Sequence, residues 1–435
     1  MNALPRAAAS AFCRRPWLAA VARRGLAVTT REGDLFTPTA EHAALRASVR
    51  AFVAAEVEPA ALAWNRREEF NQALFAKLGG LGLLGMTADP AHGGAGMDAT
   101  AVVIAHEELA ASDPALCLSF LAHSLLFVNN LAVNGSAAQK AAFLPRACAG
   151  ELLCGMAMSE PGAGTDVLAM RTRAARVPGS DDYELSGAKM WITNGARSEG
   201  DLGDAFLVYA ATGAGGGGGG GGGSGGASLS LFLVEKGMRG FSLGGRIKDK
   251  CGMRASNTAE LVFDRVRVPA SHRVGAEGTA VASMMRNLEV ERLGLAAMSL
   301  GIARRSIEVM NAYARERRAF GAPINRFGQV QRMIADSYAE YAAGKAYVYA
   351  TAAALADLSA AGNRIDSDGV KLYCARMATE VANRAMQVLG GNGYVGEYVV
   401  ERLWRDAKLL EIGGGTSEAH EKNMARDLSK VDKLA

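Results

Sequence analysis

Cysteine pairs are missing from this chain. Its six cysteines, Cys13, Cys117, Cys148, Cys154, Cys251 and Cys374, form no Cys-x-x-Cys unit, which leaves no zinc ribbon or dithiol motif and reads as reduced packing thiols. No GxSxG elbow occurs, which argues against a serine hydrolase. No uninterrupted apolar run reaches the roughly 18 residues that span a bilayer, so no transmembrane segment is expected. The "HEELA" stretch starting at His106 has Ala110 where a zincin needs its second histidine, and the other histidines stand alone; no metal site is expected.

Acids are absent from residues 1–31, which carry Arg6, Arg14, Arg15, Arg23, Arg24 and Arg31 among alanines and leucines. That composition is the one of a mitochondrial presequence, with a basic surface helix as the alternative. Without those six arginines, the 48 basic residues fall just below the 44 acids, so the overall excess of +4 makes no case for nucleic-acid binding.

What remains is long enough, at 435 residues and 49% hydrophobic, for two or three domains. Apolar spacings of three and four predict a helical domain over 36–153. Short β-rich runs such as "KMWIT", "AFLVYAA" and "LSLFLVEKG" predict a strand domain over 154–269. Helical periods return over 275–435, as in a helical bundle. The class is α+β. A glycine tract at 213–228 interrupts the strands; lacking the Lys-Ser/Thr of a phosphate loop, it reads as a flexible surface connection. "GNGYVG", Gly391 to Gly396, has the letters GxGxxG but no strand before it, so it is discounted as a dinucleotide fingerprint.

Met284, Leu288, Glu291, Leu295, Met298 and Ile302 share one helix face. Glu291 is the lone carboxylate in that apolar stripe. Buried, it would have a raised pKa suited to a general base; at the edge of the stripe it would reach solvent and do nothing. Glu289 points elsewhere, with Arg286 and Arg292 at helical spacing, and reads as a surface ion-pair partner. In "MAMSEPGAGTDV" and "WITNG", glycines beside Ser159 and Thr165 suit backbone approach to a ligand, and Trp191 with Thr193 offers a ring beside a hydroxyl. In "LEIGGGTSEA", Leu410 to Ala419, three successive glycines supply room but no reactive group.

These stretches, with "GMRASNTAEL", "RRAFG", "QVLGGNGY" and "RDAKLLEIGGGTSE", closely resemble the acyl-CoA dehydrogenase family of flavoproteins, in order and over nearly all the chain after residue 31. The resemblance implies an N-terminal helical domain, a central β-barrel domain and a C-terminal four-helix bundle, assembled as a homotetramer carrying FAD. It implies that Met156, Met158, Ser159, Thr165, Trp191, Ile192 and Thr193 line the flavin. Arg317, Gln387, Gly390 and Gly391 would reach the FAD of a neighbouring subunit, and Thr416, Ser417 and Glu418 its diphosphate and adenosine. Thr165, Glu289, Val290, Glu291, Arg292, Gly414 and Gly415 would surround the acyl-CoA.

Most of the family carries its catalytic glutamate at the position of Gly414. Its isovaleryl-type branch instead uses the position of Glu291. The implied reaction is α,β-dehydrogenation of a short branched acyl-CoA, isovaleryl-CoA to 3-methylcrotonyl-CoA in leucine breakdown, in the mitochondrial matrix, with electrons passed to electron-transfer flavoprotein. Alternatives are 2-methyl-branched or short straight-chain substrates, and a non-catalytic flavin- or CoA-binding protein. The bare glycines suggest space freed for acyl substituents. Ala282, Gly328 and the glycine tract depart from the branch's pattern.

Overall fold

The computed structural model describes residues 33–213, 228–355, 357–359 and 362–432. The presequence expectation, and all but the two ends of the glycine tract, lie outside the described residues.

Short polar side chains start the N-terminal helices by accepting their unpaired N–H groups. Thr39 caps α1 (Ala40–Phe52) through His42 N. A π turn leads from it into α2 (Glu58–Arg67), and Asn71 caps α3 (Gln72–Gly80). Asp98 caps α4 (Ala99–Ala110), and Asp113 precedes Pro114 at the first position of α5 (Pro114–Leu121). A π stretch joins α5 to α6 (Asn130–Asn134), and a Ser136/Gln139 capping box opens α7 (Ala137–Cys148). The continuous helix Pro114–Asn134 is apolar and long enough, by composition, to cross a membrane. It is instead a core helix, with 83% of its most apolar window buried.

The "HEELA" residues are also accounted for by packing. Glu107 accepts from Arg46 at 3.0 Å, from the Tyr349 hydroxyl at 2.6 Å and from the Tyr341 hydroxyl at 3.2 Å. Burial alone would raise its pKa; Lys345, Arg46 and Arg304 hold it well below the carboxylate range. No group of three or more potential metal ligands occurs among the described residues.

The strand domain follows: β1 (Cys154–Ala157), β2 (Arg173–Arg176), β3 (Tyr183–Thr193), β4 (Ala196–Ser198), β5 (Asp201–Leu202), β6 (Ala205–Ala211), β7 (Leu229–Glu235), β8 (Phe241–Arg246), β9 (Thr258–Val268) and β10 (Arg273–Val274). The main sheet runs β10-β7-β6-β2-β3-β9-β8, with β1 parallel to β6. The long α8 (Ala280–Glu316) then enters the helical half. A small hairpin, β11 (Arg318–Ala319) and β12 (Ala322–Pro323), precedes α9 (Gly328–Ala354), α10 (Arg364–Leu389), α11 (Val399–Leu410) and α12 (Ser417–Leu428). "GNGYVG" lies in and after a 3-10 turn following α10, not a strand, as its context required.

Helix α8 connects the hydrophobic cores. Its first turns, at Ala280 and Met284, pack with the strand domain and with Phe127, Val128 and Leu131. Val290, Leu295, Met298 and Ile302 pack with the N-terminal helices and α11, while Leu293, Ala296 and Leu300 pack with α9 and α10. Fully burying each Leu, Met or Ile contributes about 1.5–3 kcal/mol. Glu291 is therefore fixed where three packed regions meet.

Candidate active site at the Glu291 carboxylate

Between Met284 and Leu295 on the apolar face of α8, Glu291 is 7% exposed. Its Oε2 is buried without a hydrogen-bond partner among the described residues. Burial pushes its pKa up to about 7, against the opposing charges of Arg292 and Lys371. The solvent-reaching alternative is thereby excluded. Glu289 is not at the surface either: it is 4% exposed, and its Oε2 accepts the N–H groups of Gly362 and Asn363, each at 3.2 Å, ahead of α10. Helical spacing located its arginine neighbours but not the loop that folds over it.

The triple-glycine turn faces Glu291. A Cβ built on Gly414 would stand 3.4 Å from Glu291 Oε1 and only 2.2 Å from Leu295 Cδ1, and its φ is +66°. The expectation of freed space is corrected here, because Leu295 and Glu291 already occupy the room above Gly414. Gly415 is likewise closed, its Cβ position lying 2.9 Å from the His420 ring. These glycines let side chains from α8 and α12 come close to the backbone.

Beneath the turn lies a polar cluster that sequence reasoning missed. Lys371 Nζ donates to the Gly415 carbonyl at 2.5 Å. His420 places Nε2 at 3.0 Å from that carbonyl and Nδ1 at 2.5 Å from Asp368 Oδ1. Arg292 pairs with the same Asp368 oxygen at 3.3 Å. Asp368 and Lys371, three apart on one helix, were the available signal, but only the fold brings them to α12.

The strand wall is built from β1 and β3. Met190 N donates to the Ser159 carbonyl at 2.9 Å, and a Cβ on Gly155 would meet the Thr193 carbonyl at 2.7 Å. Met156 to Ser159 thus run beside Met190 to Thr193. Behind them, Lys189 Nζ bonds the Met158 carbonyl at 3.0 Å and Glu160 Oε1 at 2.9 Å. Glu160 also accepts the N–H groups of Arg171 and Thr172. Burial lowers the Lys189 pKa to about 8 despite Glu160.

The expected regular alternation of Trp191 and Thr193 is broken by a register shift between Lys189 and Ile192. Trp191 takes φ +65° and is 57% exposed, Ile192 is buried and Thr193 half-buried. A bulky residue in left-handed backbone costs about 1–3 kcal/mol and tends to mark a functional surface.

Arg317, Gly390 and Gly391 line a surface cavity of about 400 Å³ with Tyr313 and Asn392. Gln387 lies beside it, its carbonyl accepting the Gly390 N–H. Thr416 caps α12 by accepting from Ala419 N, Glu418 is exposed in its first turn, and the buried Ser417 Oγ has no partner among the described residues. Thr165 is exposed on the loop after Glu160.

A flavin dinucleotide is compatible with these features. Its ring system needs an apolar platform, for which Trp191, Met156 and Met158 would serve, and its diphosphate would suit the N-terminus of α12. Val290 is buried in the core at 2% exposure, one residue from the base.

Three family models match in order: Acyl-CoA dehydrogenase, N-terminal domain, at residues 39–151; middle domain at 155–266; C-terminal domain at 277–429. The mitochondrial isovaleryl-CoA dehydrogenase of Oryza sativa subsp. japonica is 38% identical over 96% of this chain and 98% of its own length. The mitochondrial 2-methylacyl-CoA dehydrogenase of Solanum tuberosum is 37% identical over 88% and 89%. The solved glutaryl-CoA dehydrogenase of Mycobacterium smegmatis in complex with FADH2 is 30% identical, with a TM-score of 0.81 over 91% of this chain and 96% of that one. With its helix, strand and helix domains in that order, the chain belongs to the acyl-CoA dehydrogenase family and is an acyl-CoA dehydrogenase.

Proposed function

We propose that this enzyme desaturates a short branched acyl-CoA, isovaleryl-CoA to 3-methylcrotonyl-CoA, with Glu291 as the base. The observation that carries the reading is the buried, unpartnered Oε2 of Glu291 opposite a glycine at the position where most of the family has its glutamate. A desolvated carboxylate with a pKa of about 7 is half ionised at neutral pH. It holds an abstracted proton more readily than a solvated one. In the reaction, Glu291 takes the α-proton of the thioester. Bound FAD supplies the acceptor for the hydride leaving the β-carbon. Trp191, Met156, Met158, Ser159, Ile192 and Thr193 hold and cover that ring, while Leu295 and the Gly414 turn exclude water and confine the acyl group.

Arg317, Gln387, Gly390 and Gly391 reach the cofactor of a second copy in a homotetramer, a reading supported by their exposure on the single chain. Thr416, Ser417 and Glu418 hold its diphosphate and adenosine end, and Thr165, Glu289, Val290, Arg292 and Gly415 surround the acyl-CoA. Electrons pass to electron-transfer flavoprotein. The arginine-rich, acid-free start and the relatives' mitochondrial names support a matrix location.

A second reading, preference for 2-methyl-branched or short straight chains, is favoured by Ala282 and by the nearly equal identity of the Solanum relative. Anaerobic mixing of FAD-loaded enzyme with isovaleryl-, 2-methylbutyryl-, butyryl- and palmitoyl-CoA, followed by flavin bleaching, separates them. Fastest bleaching by isovaleryl-CoA is expected. A lead by another acyl-CoA moves the substrate, and no bleaching by any leaves a binding protein.

A further inference from the structure

Glu291 has no direct hydrogen-bond partner at Oε2 among the described residues, so burial, which raises its proton affinity, is opposed by the charges around it. The charges are Arg292 on its own helix and Lys371 on α10; from β6, Tyr209 also neighbours it as a neutral phenol, whose pKa burial raises to about 12. Behind Lys371 lie Asp368, His420 and Glu411. Arg292 is already paired with Asp368 at 3.3 Å. Lys371, 1% exposed, has no carboxylate within hydrogen-bond reach among the described residues; the acceptor of its ammonium is the Gly415 carbonyl at 2.5 Å.

His420 also faces that carbonyl, but its shorter contact, 2.5 Å, is to the Asp368 carboxylate. A neutral ring has one proton to give, and the carboxylate is the stronger acceptor. Burial lowers the proton affinity of His420, which favours the neutral ring. Lys371 is then the donor that holds the Gly415 carbonyl, and the glycine next to it closes on Glu291.

We propose that Lys371 is a positioning residue for the base: it anchors the Gly413–Gly415 turn against Glu291 and sets beside it an ammonium that no carboxylate bonds directly, which favours the ionised base. The proposal rests on Glu291 being the base. It makes the lysine, beside Arg292, a group that sets the working pH range. The ammonium must itself stay protonated, and burial brings its pKa down to about 8.

The test follows the titration of Glu291 by infrared difference spectroscopy, using the protonated-carboxyl band that is absent in Glu291→Gln. It is run in the FAD-loaded enzyme without substrate, beside the pH profile of flavin bleaching. Lys371→Gln keeps a donor for the Gly415 carbonyl and removes the charge. The band should then titrate about one unit higher, and the rise of bleaching with pH should move up with it. Lys371→Arg should keep the wild-type titration. An unshifted titration in Lys371→Gln overturns the proposal. Should the glutamine variant not fold, an arginine variant that titrates high overturns it equally, and one that titrates as wild type supports it. If Glu291→Gln bleaches at full speed, it is the base assignment that has failed, whatever Lys371 does.

Discussion

Glu291 and Gly414 share one small volume: a Cβ on Gly414 would lie 3.4 Å from Glu291 Oε1 and 2.2 Å from Leu295 Cδ1. Only one of the two positions can carry a large side chain. The absence of a side chain at Gly414 is thus a condition for a base at Glu291, and Leu295 completes the packing.

Gly414→Ala should therefore be costly. The clash with Leu295 adds to the strain of a Cβ at φ +66°, which by itself costs about 1 kcal/mol. Thermal melting and single-turnover bleaching check this, with lower stability and at least about tenfold slower reduction expected. Moving the base with Gly414→Glu and Glu291→Gly should recover little, and more once Leu295→Ala is added.

The pKa of Glu291 gives opposite signs for activity and stability. Bleaching should rise with pH through about 7, because the ionised form takes the proton. The folded-state value lies above the ordinary 4.5, so the group's contribution to stability is fully present below 4.5 and lost as pH rises through about 7. Glu291→Gln should thus be more stable than wild type above pH 7, by at most about 3 kcal/mol, with the difference vanishing near pH 4. Urea melts at the two pH values decide it.

Trp191→Gly should separate folding from cofactor binding. It relieves left-handed backbone at φ +65° and removes an indole that is 57% exposed. The FAD-free chain should gain up to about 1 kcal/mol. FAD affinity, by titration calorimetry, should weaken at least about tenfold.

Ser417→Ala removes a buried hydroxyl that has no partner among the described residues. Melting of the FAD-free protein should stay within about 0.5 kcal/mol of wild type. FAD binding should weaken about fivefold, the worth of one hydrogen bond.

The order of helices, strands and helices was legible because apolar periods change from 3.6 to 2 and back, and because caps such as Asp98 and Ser136 mark the starts. Glu291 was legible for the same reason, since a single carboxylate in a stripe of six positions violates the pattern. What surrounds it was not. The Leu295 contact with Gly414, the loop N–H groups on Glu289 and the Lys371, Asp368 and His420 cluster each join segments tens of residues apart. Local spacing carries no information about such contacts. The bulge at Trp191 was hidden because a strand-like sequence does not reveal where its register slips against β9.

The most direct measurement is anaerobic stopped-flow mixing of isovaleryl-CoA with FAD-loaded wild type and Glu291→Gln at pH 8, reading flavin absorbance. Rapid bleaching in the wild type and a loss of at least about a thousandfold in the variant, with FAD retained, is the expected result. Bleaching at wild-type speed in Glu291→Gln would contradict the assignment of Glu291 as the base.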